Sequence, residues 1–188
     1  NYFAVLLSGI ILLAIQNQNG LCAAGSTHTN DTASYLEING TIINNSEYLP
    51  EVTVTVYVDS SVYLCVNSNR MGKCKLRLPL EKQYTMVFSK QGYTSKTILV
   101  NTEVPSSKRC VYKFIYALYL FEEVKGMRLS KLNSPIAIIT FNDDANKFDY
   151  DGKYTLSVNK GIADLYRAYY LLDSPNNLFK NRVSKNSW

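Results

Sequence analysis

The sequence has one histidine and one tryptophan in 188 residues, and only 19% of its residues are charged. The single histidine, His28, lies in the polar stretch STHTNDTAS over residues 26–34. A zinc hydrolase needs several metal ligands and a general base. Neither a Ser/His/Asp set nor a Cys/His set can be assembled from these residues. The sequence therefore predicts a protein that is not an enzyme, with no catalytic residue, no metal site and no cofactor.

Runs of basic residues are also missing. The chain has 20 Lys and Arg against 15 Asp and Glu, and its net charge of +5 is spread along its length. Proteins that bind nucleic acid concentrate Lys and Arg on one face or in one run. We therefore expect no nucleic-acid partner, whereas a membrane surface or an acidic glycan stays open as a partner.

The first 24 residues have the order of a secretory signal. An uncharged apolar run, Tyr2–Ile15, precedes a polar stretch and small residues that end at Ala24. This run is short for a membrane span, so we predict a signal peptide over 1–24 that is cleaved after Ala24. A retained hydrophobic N-terminal helix is one alternative, and lipidation of Cys22, with membrane association, is another. Because the chain opens without Met and without a basic segment, we expect its true start to lie upstream.

A β-sandwich is predicted over residues 36–122, after a linker over residues 25–35. Its most regular strand alternates valine with Thr and Tyr at Val52, Val54, Val56 and Val58. This two-residue period is typical of a half-buried strand. Similar runs recur about every 8–12 residues with turn residues between them, which predicts antiparallel pairing. Val62–Val66 and Lys73–Leu80 are predicted to form a hairpin around Asn67–Gly72.

Residues 123–172 are predicted to form an extension with one strand and a helix. The strand is the apolar run Ile136–Phe141. The helix is indicated by apolar residues at spacings of three and four, namely Tyr154, Val158, Ile162, Leu165, Tyr169 and Leu172. Asp149 or Asp151 is placed to cap its start. Residues 173–188 are predicted to be a basic, mobile tail.

The cysteines raise a question of register. Removal of the signal would leave Cys65, Cys74 and Cys110, an odd number. Cys74 is in phase with the inward-facing Leu76, whereas Val62, Leu64 and Val66 are expected to face inward and turn Cys65 outward. Residues on opposite faces cannot be bridged. The parity therefore argues against a Cys65–Cys74 disulfide and predicts that Cys74 is a buried thiol, although the state of all three cysteines stays open.

Several segments together resemble the carboxypeptidase regulatory-like domain family, in the short exported form found in Bacteroidetes. The resemblance covers Ile38 to about Tyr154 and rests on INGTIINNSEYLPEVTVTVY (38–57), NRMGKCKLRLPL (69–80), YTMVFSKQGYTSKTILV (84–100), LFEE (120–123), PIA (135–137) and FDYD (148–151). Cys74 departs from the family, which usually has an aromatic residue there. The Arg70-Met71-Gly72 turn is also less polar than is usual.

The resemblance implies a transthyretin-like, Greek-key β-sandwich with a C-terminal α-helical extension. It also implies a non-catalytic accessory or interaction subunit of a cell-envelope assembly for transport, secretion or outer-membrane biogenesis. The implied location is the periplasm or the outer membrane, and the implied partners are envelope proteins whose identity stays open. A glycan-binding or adhesion module and a eukaryotic secreted transthyretin-like protein are the alternatives.

The candidate contact residues are aromatic and acidic. A sheet edge or an aromatic face is the expected means of binding, with candidates Phe148, Asp149, Tyr150, Asp151, Tyr112 and Tyr116. Thr32 is a candidate for O-glycosylation of the Bacteroidetes type. Asn30, Asn39 and Asn44 begin Asn-x-Ser/Thr sequons, which would carry N-glycans only in a eukaryotic secretory pathway.

Overall fold

The computed structural model describes residues 34–123 and 134–158, together with residues 161 and 164. They form ten strands, a short 3-10 turn at Ser106–Lys108 and a helix, α1, over residues 152–158. The strands are β1 (Tyr35–Asn44), β2 (Glu47–Tyr48), β3 (Thr53–Val58), β4 (Ser61–Asn67), β5 (Lys73–Pro79), β6 (Gln83–Ser89), β7 (Lys96–Asn101), β8 (Tyr112–Tyr119), β9 (Ala137–Asn142) and β10 (Lys147–Tyr150).

The strands form two sheets around one core. In sheet A, β1 lies between β5 and β8, and β2 pairs with the end of β1. Sheet B has the order β10-β9-β7-β6-β3-β4. Inward-facing side chains of both sheets belong to a single buried cluster. The prediction of a mainly β sandwich followed by a helix is confirmed.

Side-chain alternation explains how the two sheets divide core from solvent. On β3, Val54 and Val56 are fully buried. On β5, burial changes at every residue, so that the leucines and Cys74 face the core while Lys75 and Arg77 face solvent. Apolar residues at every second position of a strand give this arrangement.

Antiparallel pairing, which the turn spacing predicts throughout, is broken at two places. Strand β8 lies parallel to β1, and β9 lies parallel to β7. Parallel neighbours need a long connection, which in α/β proteins is a crossover helix. Here strands provide it, because the chain passes through the opposite sheet between the two members of each parallel pair. The described sheets are therefore mixed.

The predicted hairpin between Val62–Val66 and Lys73–Leu80 is wrong. Strand β4 pairs with β3 in sheet B, whereas β5 pairs with β1 in sheet A. Asp59 and Ser60 both have positive φ, at 48° and 66°, which is the geometry of a tight two-residue turn and joins β3 directly to β4. Val62, expected to face inward, is 62% exposed because a register shift between Val56 and Tyr57 pairs it with Tyr57, on the outer face of β3.

The predicted extension contributes more than one strand. Both β9 and β10 lie in sheet B, where β9 pairs with β7 and β10 with β9. Helix α1 is capped as predicted by Asp151, whose Oδ1 accepts a hydrogen bond of 3.0 Å from the Tyr154 amide. The signal segment, nearly all of the linker, the helical stripe from Ile162 onward and the tail lie outside the described residues. Within the described ranges, no helix is long and apolar enough to cross a membrane.

The parity argument about the cysteines is confirmed. Cys74 is a buried free thiol, and Cys65 is an exposed one. The Cys74 Sγ lies 3.7 Å from the Tyr116 hydroxyl, and burial raises the pKa of the Cys74 thiol above its usual value of 9.0. Cys110 is disulfide-bonded, and its partner lies outside the described residues.

Thiol labelling will distinguish these environments. We expect a maleimide reagent to add one label to the native chain, at the exposed Cys65. A second label will appear after unfolding without reductant, because unfolding exposes Cys74. Intact-mass spectrometry counts the labels, and Cys65→Ser is the control that should leave the native chain unlabelled. Two labels on the native chain would contradict the burial of Cys74.

Candidate functional site

The predicted aromatic contact residues lie mostly in the core. Tyr112, Tyr116 and Phe148 are each at most 3% exposed. The Tyr112 ring centroid lies 5.2 Å from that of Phe148 and 5.4 Å from that of Phe141, in edge-to-face contacts that join β8 of sheet A to β9 and β10 of sheet B. These side chains hold the two sheets together, so a partner cannot reach them without opening the fold.

Tyr150 packs against the core, and the two candidate aspartates contact their own neighbours in the chain. The Tyr150 ring packs edge-to-face on Phe114 at 5.1 Å, and burial raises the pKa of its hydroxyl. Asp149 accepts a hydrogen bond from the Tyr150 amide and forms a 3.1 Å salt bridge with Lys147. Asp151 caps α1. The structure brings the six predicted residues close together, around the junction of the two sheets.

Two of the four candidate glycosylation residues lie in β1. The Asn39 amide is half-buried and donates a hydrogen bond of 3.3 Å to Glu37 Oε1. Asn44, at the end of β1, has an Oδ1 atom that is buried without a partner among the described residues. Asn30 and Thr32 lie outside the described residues. A glycan on Asn39 would have to replace the contact with Glu37.

A cavity of about 430 Å³ opens beside Asn39 on the outer face of sheet A. It lies where β1, β5 and β8 run side by side, because Asn39 pairs with both Lys75 and Ile115. Its lining residues include two lysines, two asparagines and a threonine but no carboxylate: Asn39, Gly40, Thr41, Asn69, Lys73, Cys74, Lys75 and Ile115. The floor is tightly packed, since a Cβ atom added at Gly40 would lie 2.5 Å from the Tyr116 ring and hydroxyl.

Charges on this outer face are unbalanced. Glu37 forms a 2.9 Å salt bridge with Lys75 and a 3.7 Å contact with Arg77. The hydrogen bond from Lys75 lowers the pKa of Glu37, and the positive charges of Lys75 and Lys113 lower it further. Lys73, which lines the cavity, forms no salt bridge with any described carboxylate.

The second exposed feature is the edge strand β4. It pairs only with β3, so its other side presents unpaired backbone groups. Val62 is 62% exposed and Tyr63 42% exposed. The strand SVYLCVN contains no charged residue and no proline. An edge of this composition is a template for pairing with another strand.

Each of the other described edge strands has a feature that discourages such pairing. Strand β5 carries two lysines, an arginine and Pro79, β8 carries Lys113, and β10 carries Lys147 and Asp149. Strand β2 has only two residues, one of them a glutamate. Charge, proline and shortness all oppose addition of a strand. Strand β4 alone among the described edges has none of these features.

A buried lysine was not predicted. Lys96 on β7 is 2% exposed, and its Nζ donates a hydrogen bond to the Tyr119 carbonyl oxygen. Burial lowers the pKa of Lys96 to about 7. The alternation of β7 predicts this burial, because Lys96 is in phase with the inward-facing Ile98 and Val100 on the same strand.

The described residues contain no cluster of three or more side chains able to bind a metal ion. No family model matches the sequence, and no curated protein matches it.

Three of the solved structures that match this chain are similar to part of its backbone. The TIE protein of Bacillus anthracis has a TM-score of 0.40 and 15% identity, over 47% of this chain and 18% of its own. Shaft pilin SpaA from Lactobacillus rhamnosus GG has a TM-score of 0.37 and 12% identity, over 48% of this chain and 51% of its own. Catechol 1,2-dioxygenase from Pseudomonas arvilla C-1 has a TM-score of 0.35 and 8% identity, over 52% of this chain and 55% of its own. Such scores carry no argument about activity, and the sandwich assignment rests on the strand pairings.

Proposed function

We propose that the chain is an exported, non-catalytic β-sandwich of the carboxypeptidase regulatory-like type. In this proposal it acts as an accessory or interaction subunit of a cell-envelope assembly, and it binds an extended segment of a partner protein along β4. The observation that carries the proposal is the uncharged, half-apolar edge of β4, with Val62 and Tyr63 exposed. The resemblance and the apolar N-terminal run support export.

Strand addition fits the composition of β4. A partner strand would pair with the free backbone groups of β4, which supply affinity irrespective of sequence. The exposed Val62 and Cys65 pair with Tyr57 and Thr55 on the outer face of β3, so both would contact side chains on one face of the partner strand, which supply specificity. This surface takes the place of the buried aromatic residues that the sequence suggested.

Charge placed on β4 will test the proposal. We expect the tagged wild-type chain to recover a stoichiometric envelope protein from native membranes, and Val62→Lys/Cys65→Lys to lose it, because lysine on an edge strand opposes pairing. Tyr48→Lys is the matched control, since Tyr48 is also exposed, at 57%, but lies on sheet A. Hydrogen exchange should show protection of the β4 amides in the complex.

Two results would reject this assignment. One is equal recovery of the partner by wild type and by the β4 double variant. The other is absence of any envelope protein together with retention of the chain on a glycan array. The second result would favour the alternative of a glycan-binding or adhesion module, which the cavity on sheet A makes specific.

A further inference from the structure

We propose that the outer face of sheet A holds a binding site for an acidic saccharide, with Lys73 as the residue that contacts its anionic group. The site is the cavity lined by Asn39, Thr41, Asn69 and Lys73. It lies on the opposite sheet from β4. A result that rejects strand addition along β4 therefore leaves the saccharide proposal unaffected, and the reverse also holds.

The three strands that form the site carry a positive excess. Strands β1, β5 and β8 contain four cations, Lys73, Lys75, Arg77 and Lys113, and a single carboxylate, Glu37. All four cations are exposed on the outer face. Glu37 is already engaged by Lys75 and Arg77, which leaves Lys73 and Lys113 without a salt bridge to any described carboxylate. An anionic ligand at Lys73 would complement this charge, because Glu37 bonds to Lys75 and Asn39 and not to Lys73.

The cavity also presents neutral hydrogen-bonding groups. Asn69 Oδ1 accepts hydrogen bonds from the backbone amides of Met71 and Lys73, at 2.9 and 3.0 Å. These bonds fix the Asn69 amide, whose Nδ2 is left to donate to a ligand. The Thr41 hydroxyl pairs with no described residue, and Asn39 Oδ1 is an acceptor. Such a mixture of donors and acceptors beside an ammonium suits a ligand that carries hydroxyl groups as well as an anion.

Size and shape favour a saccharide over other anions. A volume of about 430 Å³ exceeds the needs of one inorganic ion and lies within the range of about 300–1,000 Å³ for small-molecule sites. A membrane surface would require protruding apolar side chains, whereas Ile115, in the cavity wall, is half-buried. Nucleic acid would require a longer track of cations than the four on this face.

Titration of the full chain with two acidic polymers will test the site. The probes are polygalacturonate oligomers, which carry carboxylates, and dextran sulfate oligomers, with uncharged dextran as reference. We expect at least one acidic polymer to bind and dextran not to bind. Lys73→Gln should weaken binding roughly tenfold, because a charge-assisted hydrogen bond is lost. The acidic polymer that binds more tightly identifies the anionic group.

Two further variants separate a built site from general attraction between charges. Lys82→Gln removes one exposed positive charge beyond Pro79, at the opposite end of β5 from Lys73, and should change affinity less than twofold. Thr41→Val keeps shape and charge but removes the hydroxyl, and should weaken binding roughly threefold. Equal losses for Lys73→Gln and Lys82→Gln, or no loss for Thr41→Val, would overturn the proposal. Tighter binding to duplex DNA or to anionic phospholipid vesicles than to either polymer would also overturn it.

Discussion

Replacing Gly72 with alanine will lower the free energy of unfolding by about 3 kcal/mol or more. Gly72 has a φ of +64°, and a Cβ atom added there would lie 2.3 Å from the Ile42 carbonyl oxygen. That oxygen accepts a hydrogen bond from the Leu49 amide, and the Gly72 carbonyl accepts one from the Ile42 amide. The obstacle is therefore backbone that is fixed on both sides, and it cannot move aside as a side chain could.

Gly92→Ala is the matched control for this prediction. Gly92 has a similar φ of +79°, but a Cβ atom there would meet no atom within 4 Å. Its substitution should therefore cost only the left-handed strain, about 1 kcal/mol. Urea unfolding followed by circular dichroism measures both variants. Equal losses at the two glycines would show that the chain relaxes around Gly72 and that the close approach to Ile42 is not rigid.

The second large effect is a rise in stability with pH that depends on Lys96. Burial lowers the pKa of Lys96 from 10.5 to about 7. Between these values the unfolded chain binds a proton that the folded chain has released, so stability rises as pH rises. Each unit of pH in this window adds about 1.4 kcal/mol. We therefore expect a gain of about 2–3 kcal/mol between pH 7 and pH 9.

Above about pH 9 stability will fall as pH rises, because other buried groups begin to lose protons in the unfolded chain. Burial raises the pKa of Cys74 above 9.0 and that of Tyr84 to about 12. The unfolded chain loses these protons before the folded chain does, so stability falls as pH rises past the unfolded values. The curve should have its maximum near pH 9. Cys74 and Tyr84 therefore decrease the free energy of unfolding as pH rises, whereas Lys96 increases it.

Urea unfolding of Lys96→Met across pH 6 to pH 10 will isolate the lysine contribution. Methionine keeps the apolar length of the side chain but cannot titrate, so the rise between pH 7 and pH 9 should disappear. Lys82→Met, at an exposed position, should keep the wild-type curve. A rise of the same size in Lys96→Met would assign the pH dependence to other groups.

Local patterns in the sequence predicted the strands and their faces well. The alternation on β3 and β5 determines which side chains face the core, and parity alone separated the buried Cys74 from the exposed Cys65. The cap of α1 was predicted at Asp149 or Asp151, and Asp151 provides it. Each of these features depends on residues within a few positions of one another, where backbone period and side-chain chemistry act directly.

Pairings between distant strands could not be predicted in this way. The hairpin prediction failed because composition does not show that β4 and β5 enter different sheets. The proposed acidic-saccharide site could not be predicted for the same reason, because the pairing of Thr41 with Lys73 joins residues from two strands that are separated in sequence. The absence of charge on β4 was visible in the sequence, but its position at a sheet edge was not.

The parallel pairing of β1 with β8 has a consequence for how the chain acquires its structure. Leu36 pairs with Tyr112 and Ile43 with Tyr119. Strand β1 therefore gains one of its two long neighbours only after β8 has been synthesised. Contacts between residues so far apart in sequence require closure of a long loop and slow folding. Until then, β1 presents an open side that exposes backbone groups. We therefore expect the incomplete chain to expose apolar surface and open strand edges for longer, which favours aggregation during that interval.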